Sequence, residues 1–273
     1  MRFTDQMGRE ILLDKPPGKI ISLVPSQTEL LFELGLGDKI TGITKFCIHP
    51  THLVKEKIKI GGTKNINLHK IRQINPDLII GNKEENEKSQ IEELSRSFPV
   101  WMSNIQNLEN AAGMIHAIGK LTGTEAKAAS ITEEINKKFS GLKIFTAGLR
   151  PLKLAYIIWK KPLMTINKDT FIHHMAERCR LYNVFGEKQE RYPEITMEEL
   201  QAAAPDIILL SSEPYPFKEK HIAEFSDICK NAKVLCTDGE MFSWYGSRLL
   251  HAPAFFTKVV KEIYRSFETE TPS

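Results

Sequence analysis

The sequence predicts an α/β protein of two similar lobes, each built on a mainly parallel sheet, joined by a long helical segment. Three observations predict it. Apolar runs of strand length alternate with helix-patterned segments from Lys19 to Val100, and again from Leu154 to Cys236. A stretch without strand signal, Asn107 to Phe139, separates the two series. One helix–turn–strand unit also occurs twice, as Asn67–Ile80 and as Thr196–Leu209. Pro76 and Pro205 mark its turn in each copy, and every matching residue keeps the same offset. The expected divisions are an N-terminal lobe at 1–104, a linking helix at 105–140 and a C-terminal lobe with a terminal helix at 141–273.

The elements follow in order. Lys19–Val24 reads as a buried strand that Pro25 breaks. Ser26 and Glu29 fit a capping box, so a helix is expected from Ser26 to Gly35. Ile40–Ile43 is a short apolar run, followed by helix Leu68–Ile74, strand Asp77–Ile80, helix Glu87–Leu94 and a strand near Val100. In Asn107–Phe139 the residues Leu108, Ala112, Ile115, Ile118 and Leu121 keep helical spacing. Gly123 interrupts that spacing and Thr124 can restart it, so the residues allow one long helix or two stacked ones. Beyond it, Leu154–Ile158 is a strand, Thr170–Arg178 and Glu198–Ala203 are helices, and Asp206–Leu210 is a strand. Lys218–Ile228 is a helix and Val234–Cys236 a strand. Ser247–Phe267 is a last helix that Pro253 either kinks or begins.

Bulk properties exclude several classes. The chain has 273 residues, 41% hydrophobic and 26% charged, enough apolar material for two cores. Basic and acidic residues are interspersed at a net +3, which gives no electrostatic case for nucleic acid. No run reaches the roughly 20 apolar residues of a membrane span. Met1–Glu10 lacks the apolar core of an export signal, so a cytoplasmic location is one expectation. Cys47, Cys179, Cys229 and Cys236 match no zinc spacing and read as free, mostly buried thiols. No nucleophile elbow, Walker loop, dinucleotide fingerprint or zinc-protease helix is present, so no catalytic residue is assigned.

In parallel sheets, ligands lie beyond the carboxyl ends of the strands. That rule selects the loops that carry Phe46, Trp159, Tyr215, Phe242, Trp244 and Tyr245, and aromatics beside polar groups suit a small-molecule pocket in a cleft between the lobes. Arg248 follows an aromatic, glycine-containing turn at the start of the last helix. A cation is disfavoured there by the helix dipole, which points to a task such as gripping a carboxylate or phosphate. Cys47 and His49 are weak candidates for a soft metal, and two ligands are not a site.

The segment Ile20–Glu29 resembles the opening strand and helix of the ABC-transporter substrate-binding proteins of the cobalamin and iron-siderophore type. The pattern continues in Gly61–Thr63, Asn67–Ile80, Trp159–Ile172, Tyr192–Leu209 and Trp244–Arg248, so nearly the whole chain is covered, with most similarity to the cobalamin-binding branch. The resemblance implies a single rigid helix between the lobes and little hinge closure. It implies ligand contacts at Phe46, Thr63, Trp159, Tyr192, Glu240 and Arg248, to a cobalamin-like corrinoid or ferric siderophore-like chelate that carries cobalt or iron. It implies that no cofactor is required, that the chain acts as a monomer and that the partner is an ABC permease. It implies a periplasmic or cell-envelope location, with an intracellular chelate carrier or an enzyme on the same scaffold as the other readings. It also implies docking on the permease through one acidic residue per lobe, near the start of the repeated helix. Glu198 supplies it in the second copy, while His69 stands at the first, and Glu199 is expected in a capping box with Thr196. Thr63 stands where cobalamin binders have a tryptophan. Cys179 matches a family cysteine whose partner position, near Thr257, is not cysteine.

Overall fold

A computed structural model describes residues 1–268, so the expected lobe end at 273 lies outside the described residues. The chain forms two compact units. Unit 1 comprises Met1–Ile135 and Trp244–Leu249; unit 2 comprises Asn136–Ser243 and Leu250 onward.

Unit 1 opens with an antiparallel hairpin, β1 (Arg2–Thr4) and β2 (Glu10–Leu12). There follow β3 (Ile20–Ser22), α1 (Pro25–Glu33), β4 (Ile40–Ile43), β5 (Ile58–Lys59), α2 (Leu68–Ile74), β6 (Leu78–Asn82), α3 (Lys88–Ser95), β7 (Val100–Ser103), α4 (Leu108–Thr122) and α5 (Glu125–Thr146). Unit 2 holds the end of α5, then β8 (Leu152–Ile157), α6 (Phe171–Arg178), β9 (Leu181–Asn183), α7 (Met197–Ala202), β10 (Ile207–Ser211), α8 (Ile222–Ile228), β11 (Lys233–Thr237), α9 (Gly239–Ser243) and α10 (Ala252–Glu268).

Both main sheets are wholly parallel. Their orders are β5-β4-β3-β6-β7 and β11-β10-β8-β9. Written in the same direction, β4-β3-β6-β7 and β9-β8-β10-β11 are one arrangement, so the repeat seen in sequence extends to four strands. Its turn is alike in both copies. Asn75 and Ala204 take left-handed backbone angles, φ 51 and 44, at corresponding positions before the proline. The aspartate after that proline then reaches across to the neighbouring strand. Asp77 Oδ2 accepts the N–H of Gly18 and of Lys19, each at 2.8 Å, at the start of β3. Asp206 Oδ2 accepts the N–H of Lys153 at 2.7 Å in β8.

The central strands are buried on both faces, as parallel sheets require. In unit 2, Ala155, Ile157, Ile208 and Leu210 pack with Leu200, Phe217 and Phe225. Tyr156 meets Phe242 at 5.3 Å between ring centroids, and Phe242 meets Phe256 at 4.7 Å. In unit 1, α4 buries Leu108, Ile115, Ile118 and Leu121 of the expected stripe together with Ala111 and Met114, while Ala112 is only half-buried. Gly119 is required for its approach to α5, since a Cβ there would lie 2.5 Å from that of Ala128.

The structure corrects several local expectations. Residues 107–139 hold parts of two helices, because Gly123 turns left-handed at φ 72 and ends α4; the single long helix that the resemblance implies is α5 alone, which passes from unit 1 into unit 2. The joining segment read at 105–140 corresponds to α4, which lies in unit 1, and to α5, which begins in unit 1 and ends in unit 2. No capping box forms at Ser26: Pro25, with its φ already helical, takes the first helical position and Val24 becomes the N-cap. The last helix does not start at Ser247. Residues 247–250 make a separate 3-10 turn, and Pro253 sits in the first turn of α10, where its missing N–H costs nothing. The helix expected from Lys218 likewise begins with a 3-10 turn at Glu219–His221 before α8.

Replacement of Asp77 by Ala removes two backbone hydrogen bonds at an exposed site. The expected cost is about 1 kcal/mol, read as a lower midpoint in urea with an unchanged slope. Gly239→Ala is expected to cost more, about 2 kcal/mol or above, because its Cβ would stand 2.3 Å from Ser211 Oγ and 2.6 Å from Glu213 Cγ.

Candidate functional site

Parallel strands deliver every following loop to one edge of the sheet. In unit 1 these loops rest on a buried polar network. Gln27 donates to Ser103 Oγ at 2.6 Å, and Asn82 donates to the same oxygen at 2.9 Å. Asn86 accepts the N–H of Asn82 at 2.8 Å and donates to the Thr63 carbonyl at 3.1 Å. Asn82 Oδ1 in turn accepts the N–H of Glu84 at 2.8 Å. The carboxyl ends of β6 and β7, the start of α1 and the Thr63 turn are thereby tied together. Gly81 is required in this network, because a Cβ would lie 2.6 Å from Asn86 Oδ1. Burial pushes the half-buried Glu85 carboxyl up, with Lys64 opposing it.

Phe46 and Thr63 come together on this edge. Phe46 is 49% exposed, and its ring edge would lie 3.3 Å from a Cβ on Gly62. Lys45 lies over the same ring at 5.0 Å. Thr63 is buried, and its backbone carbonyl serves the network.

Arg248, Trp244 and His49 form a second cluster of unit 1. The Arg248 guanidinium makes a fork with Glu29, Nε to Oε2 at 3.0 Å and Nη2 to Oε1 at 2.9 Å. It lies 4.8 Å from the Trp244 ring, and His49 meets that indole edge-on at 5.6 Å. The carboxylate that Arg248 grips therefore belongs to its own chain. The helix-dipole reasoning for Arg248 also falls, because the residue lies in the 3-10 turn and not at the start of α10. The partner was hidden in sequence because Glu29 read as a capping residue.

Cys47 does not join His49 at a metal site. Its thiol is buried, with Thr28 Oγ1 at 3.0 Å and Thr44 Oγ1 at 3.2 Å, and burial raises its pKa. Among the described residues, no group of three or more His, Cys, Asp or Glu could hold a metal ion. Cys179, Cys229 and Cys236 are also free, and of the four only Cys236 is exposed.

In unit 2, Trp159 follows β8 and is 37% exposed. Its indole donates to the Lys161 carbonyl at 3.0 Å and meets Tyr215, from the loop after β10, at 5.6 Å. The Trp159 loop is closed by the Met164 N–H on the Trp159 carbonyl at 3.0 Å. Thr165 N–H on the Pro193 carbonyl, also 3.0 Å, then brings in the segment that carries Tyr192, itself 38% exposed. Glu240 lies half-buried in α9, its N–H bound by Asp238 Oδ1 at 3.0 Å. Phe242 is corrected: it is wholly buried among Tyr156, Phe255 and Phe256 and offers no surface to a ligand. Sequence placed it in a loop because α9 has only five residues, too few to show a period.

The repeated helices differ in their charge. On α7, Glu199 closes the capping box with Thr196 and pairs with Lys188 at 2.6 Å, while Glu198 is exposed. Hydrogen bonding to its own backbone N–H and to Thr196 holds the Glu198 carboxyl below its usual range. At the corresponding place on α2, His69 is exposed, and Asn67 caps the helix by accepting the N–H of Lys70 at 3.0 Å.

Two tests follow from this geometry. Arg248→Ala leaves Glu29 largely buried without its fork and is expected to destabilise the protein by about 2–3 kcal/mol, with Arg248→Lys recovering only part, read by urea unfolding. On alkylation at mildly alkaline pH, Cys236 is expected to be modified first. Cys47 and Cys179 should react only after unfolding, as peptide mass spectrometry would show.

Comparisons with known proteins bear on the family and the fold. The vitamin B12-binding protein of Vibrio cholerae is 24% identical over 197 residues, which is 72% of this chain and 71% of that protein. A solved periplasmic vitamin B12-binding protein from the same organism superposes with a TM-score of 0.81 at 21% identity, covering 92% of this chain and 99% of that one. A periplasmic heme-binding protein of Pseudomonas aeruginosa gives 0.77 at 18% identity, covering 92% and 94%. These structural likenesses show the fold. The family model described as periplasmic binding protein matches residues 20–227, most of the chain, and on that match the chain belongs to the periplasmic binding protein family.

Proposed function

We propose that this protein captures a bulky, flat metal chelate, a cobalamin-like corrinoid or a ferric chelate such as haem, and hands it to an ABC importer. The observation that carries this reading is the set of exposed aromatics beyond the carboxyl ends of the strands. Phe46 at 49%, Trp159 at 37% and Tyr192 at 38% keep large π-faces in water, at a cost that a planar or apolar ligand would remove. Their loops are held by hydrogen bonds in advance, which reduces the ordering cost of binding. Family membership and relatives that bind vitamin B12 and heme support the same class.

The chemistry is binding and release. The cobalt or iron travels as cargo within the chelate, and no resident cofactor is invoked. The protein acts as a monomer at the cell envelope. Glu198, exposed and ionised at the start of α7, is one docking contact for the permease, and His69 gives the first copy a different one.

Titration with cyanocobalamin, haem and ferric siderophores, followed by tryptophan fluorescence and visible absorbance, tests the reading. One class is expected to saturate at micromolar concentration or below and to be released chemically unaltered. Trp159→Ala should weaken it about tenfold or more. No saturable change with any of the three overturns the proposal.

A further inference from the structure

Unit 2 carries a second unusual surface, at the opposite ends of its strands. Between Ile135 and Lys153 the sequence has five Lys or Arg and no Asp or Glu, although the whole chain is only net +3. This segment runs through the end of α5 and the 147–151 turn into β8. At the amino edge of the sheet it meets the start of β9, where the Leu152 N–H donates to the Arg180 carbonyl at 3.1 Å.

The surface there is both cationic and apolar. Ile144 is 78% exposed, Tyr182 41% and Phe145 38%. Cations lie over the rings: Lys261 at 5.7 Å from Phe145, Arg150 at 4.9 Å from Phe267 and Arg180 at 5.9 Å from Tyr182. Backbone contacts make the patch continuous, with Arg180 Nε donating to the Leu149 carbonyl at 3.4 Å and Tyr264 donating to the Arg150 carbonyl. Lys143, Arg150 and Lys261 are exposed, and Glu262 is the acid beside them on α10.

We infer that this patch docks on an anionic lipid surface. Charge complementarity selects an anionic partner, and the protruding apolar groups select among anionic partners. An acidic polypeptide or a nucleic acid would use the cations but leaves an aliphatic side chain as exposed as Ile144 without a role. A bilayer uses both, with headgroup phosphates meeting Lys and Arg while Ile144 and Phe145 enter the interface. The patch shares no residue with the loops proposed to bind the chelate, so the two readings stand separately.

The test is co-sedimentation of the full chain with phosphatidylcholine vesicles, with and without phosphatidylglycerol. Binding is expected only to the mixed vesicles, and it should fall steeply at high salt. The variant Lys143→Glu/Arg150→Glu should lose about tenfold or more in partition coefficient, and Ile144→Ser about threefold, both with unchanged circular dichroism. Should the double charge variant misfold, Ile144→Ser and the salt dependence decide. The proposal is overturned if the wild type ignores the mixed vesicles, binds pure phosphatidylcholine equally, or keeps its binding in the charge variant. Preference for soluble polyglutamate over the mixed vesicles assigns the patch to an acidic protein instead and equally overturns it.

Discussion

The pairing of β3 with β6, and of β8 with β10, is the contact on which the other elements of each unit depend. In both units an aspartate next to the turn proline closes it. Asp77 collects the N–H groups of Gly18 and Lys19, and Asp206 that of Lys153. A parallel pair has no hairpin to fix its register, and a slip of one residue exchanges the two faces of the strand. The carboxylates anchor the register at the amino ends. Ile20 then faces Leu78, and Leu154 faces Ile207. From that register follow the direction of every strand end and the loops that leave it.

At the other edge the loops are held by different means in the two units. Unit 1 uses amide side chains. Gln27, Asn82 and Asn86 are nearly fully buried, and each donates to a partner on a neighbouring element, although Gln27 Oε1 is buried without one. Unit 2 uses backbone bridges between the Trp159 loop and the Tyr192 segment, with aromatic packing beneath. Both leave aromatic rings in water on loops that are not free to collapse over them.

Arg248 shows how one fork can replace a longer element. The segment Trp244–Leu249 returns to unit 1 from the far end of the sequence, and its anchor there is the bidentate pair with Glu29 backed by the Trp244 ring. Gly246, at φ 112, allows the turn to approach the Ser26 carbonyl, which a Cβ would meet at 3.1 Å. The pair is strong because both groups are largely out of water and the planar fork matches the carboxylate.

The sequence by itself determined the α/β class, the alternation of strands and helices and the repeated unit, because apolar periodicity and turn chemistry are local and survive without a tertiary partner. It also placed Phe46, Trp159 and Trp244 on loops after strands, since strand ends can be read from breakers, while Tyr192 came only from the family resemblance. Only the tertiary structure decided what those residues touch. Phe242 became core because Tyr156 and Phe256 close around it. Glu29 became the partner of Arg248 across 219 residues of sequence, rather than a cap for Ser26. Cys47 became a buried thiol among threonines. The break at Gly123 was visible as a possibility, but the close packing of Gly119 on Ala128 that accompanies two helices was not. Long-range pairing carries no local periodic signal, so these choices waited for the fold.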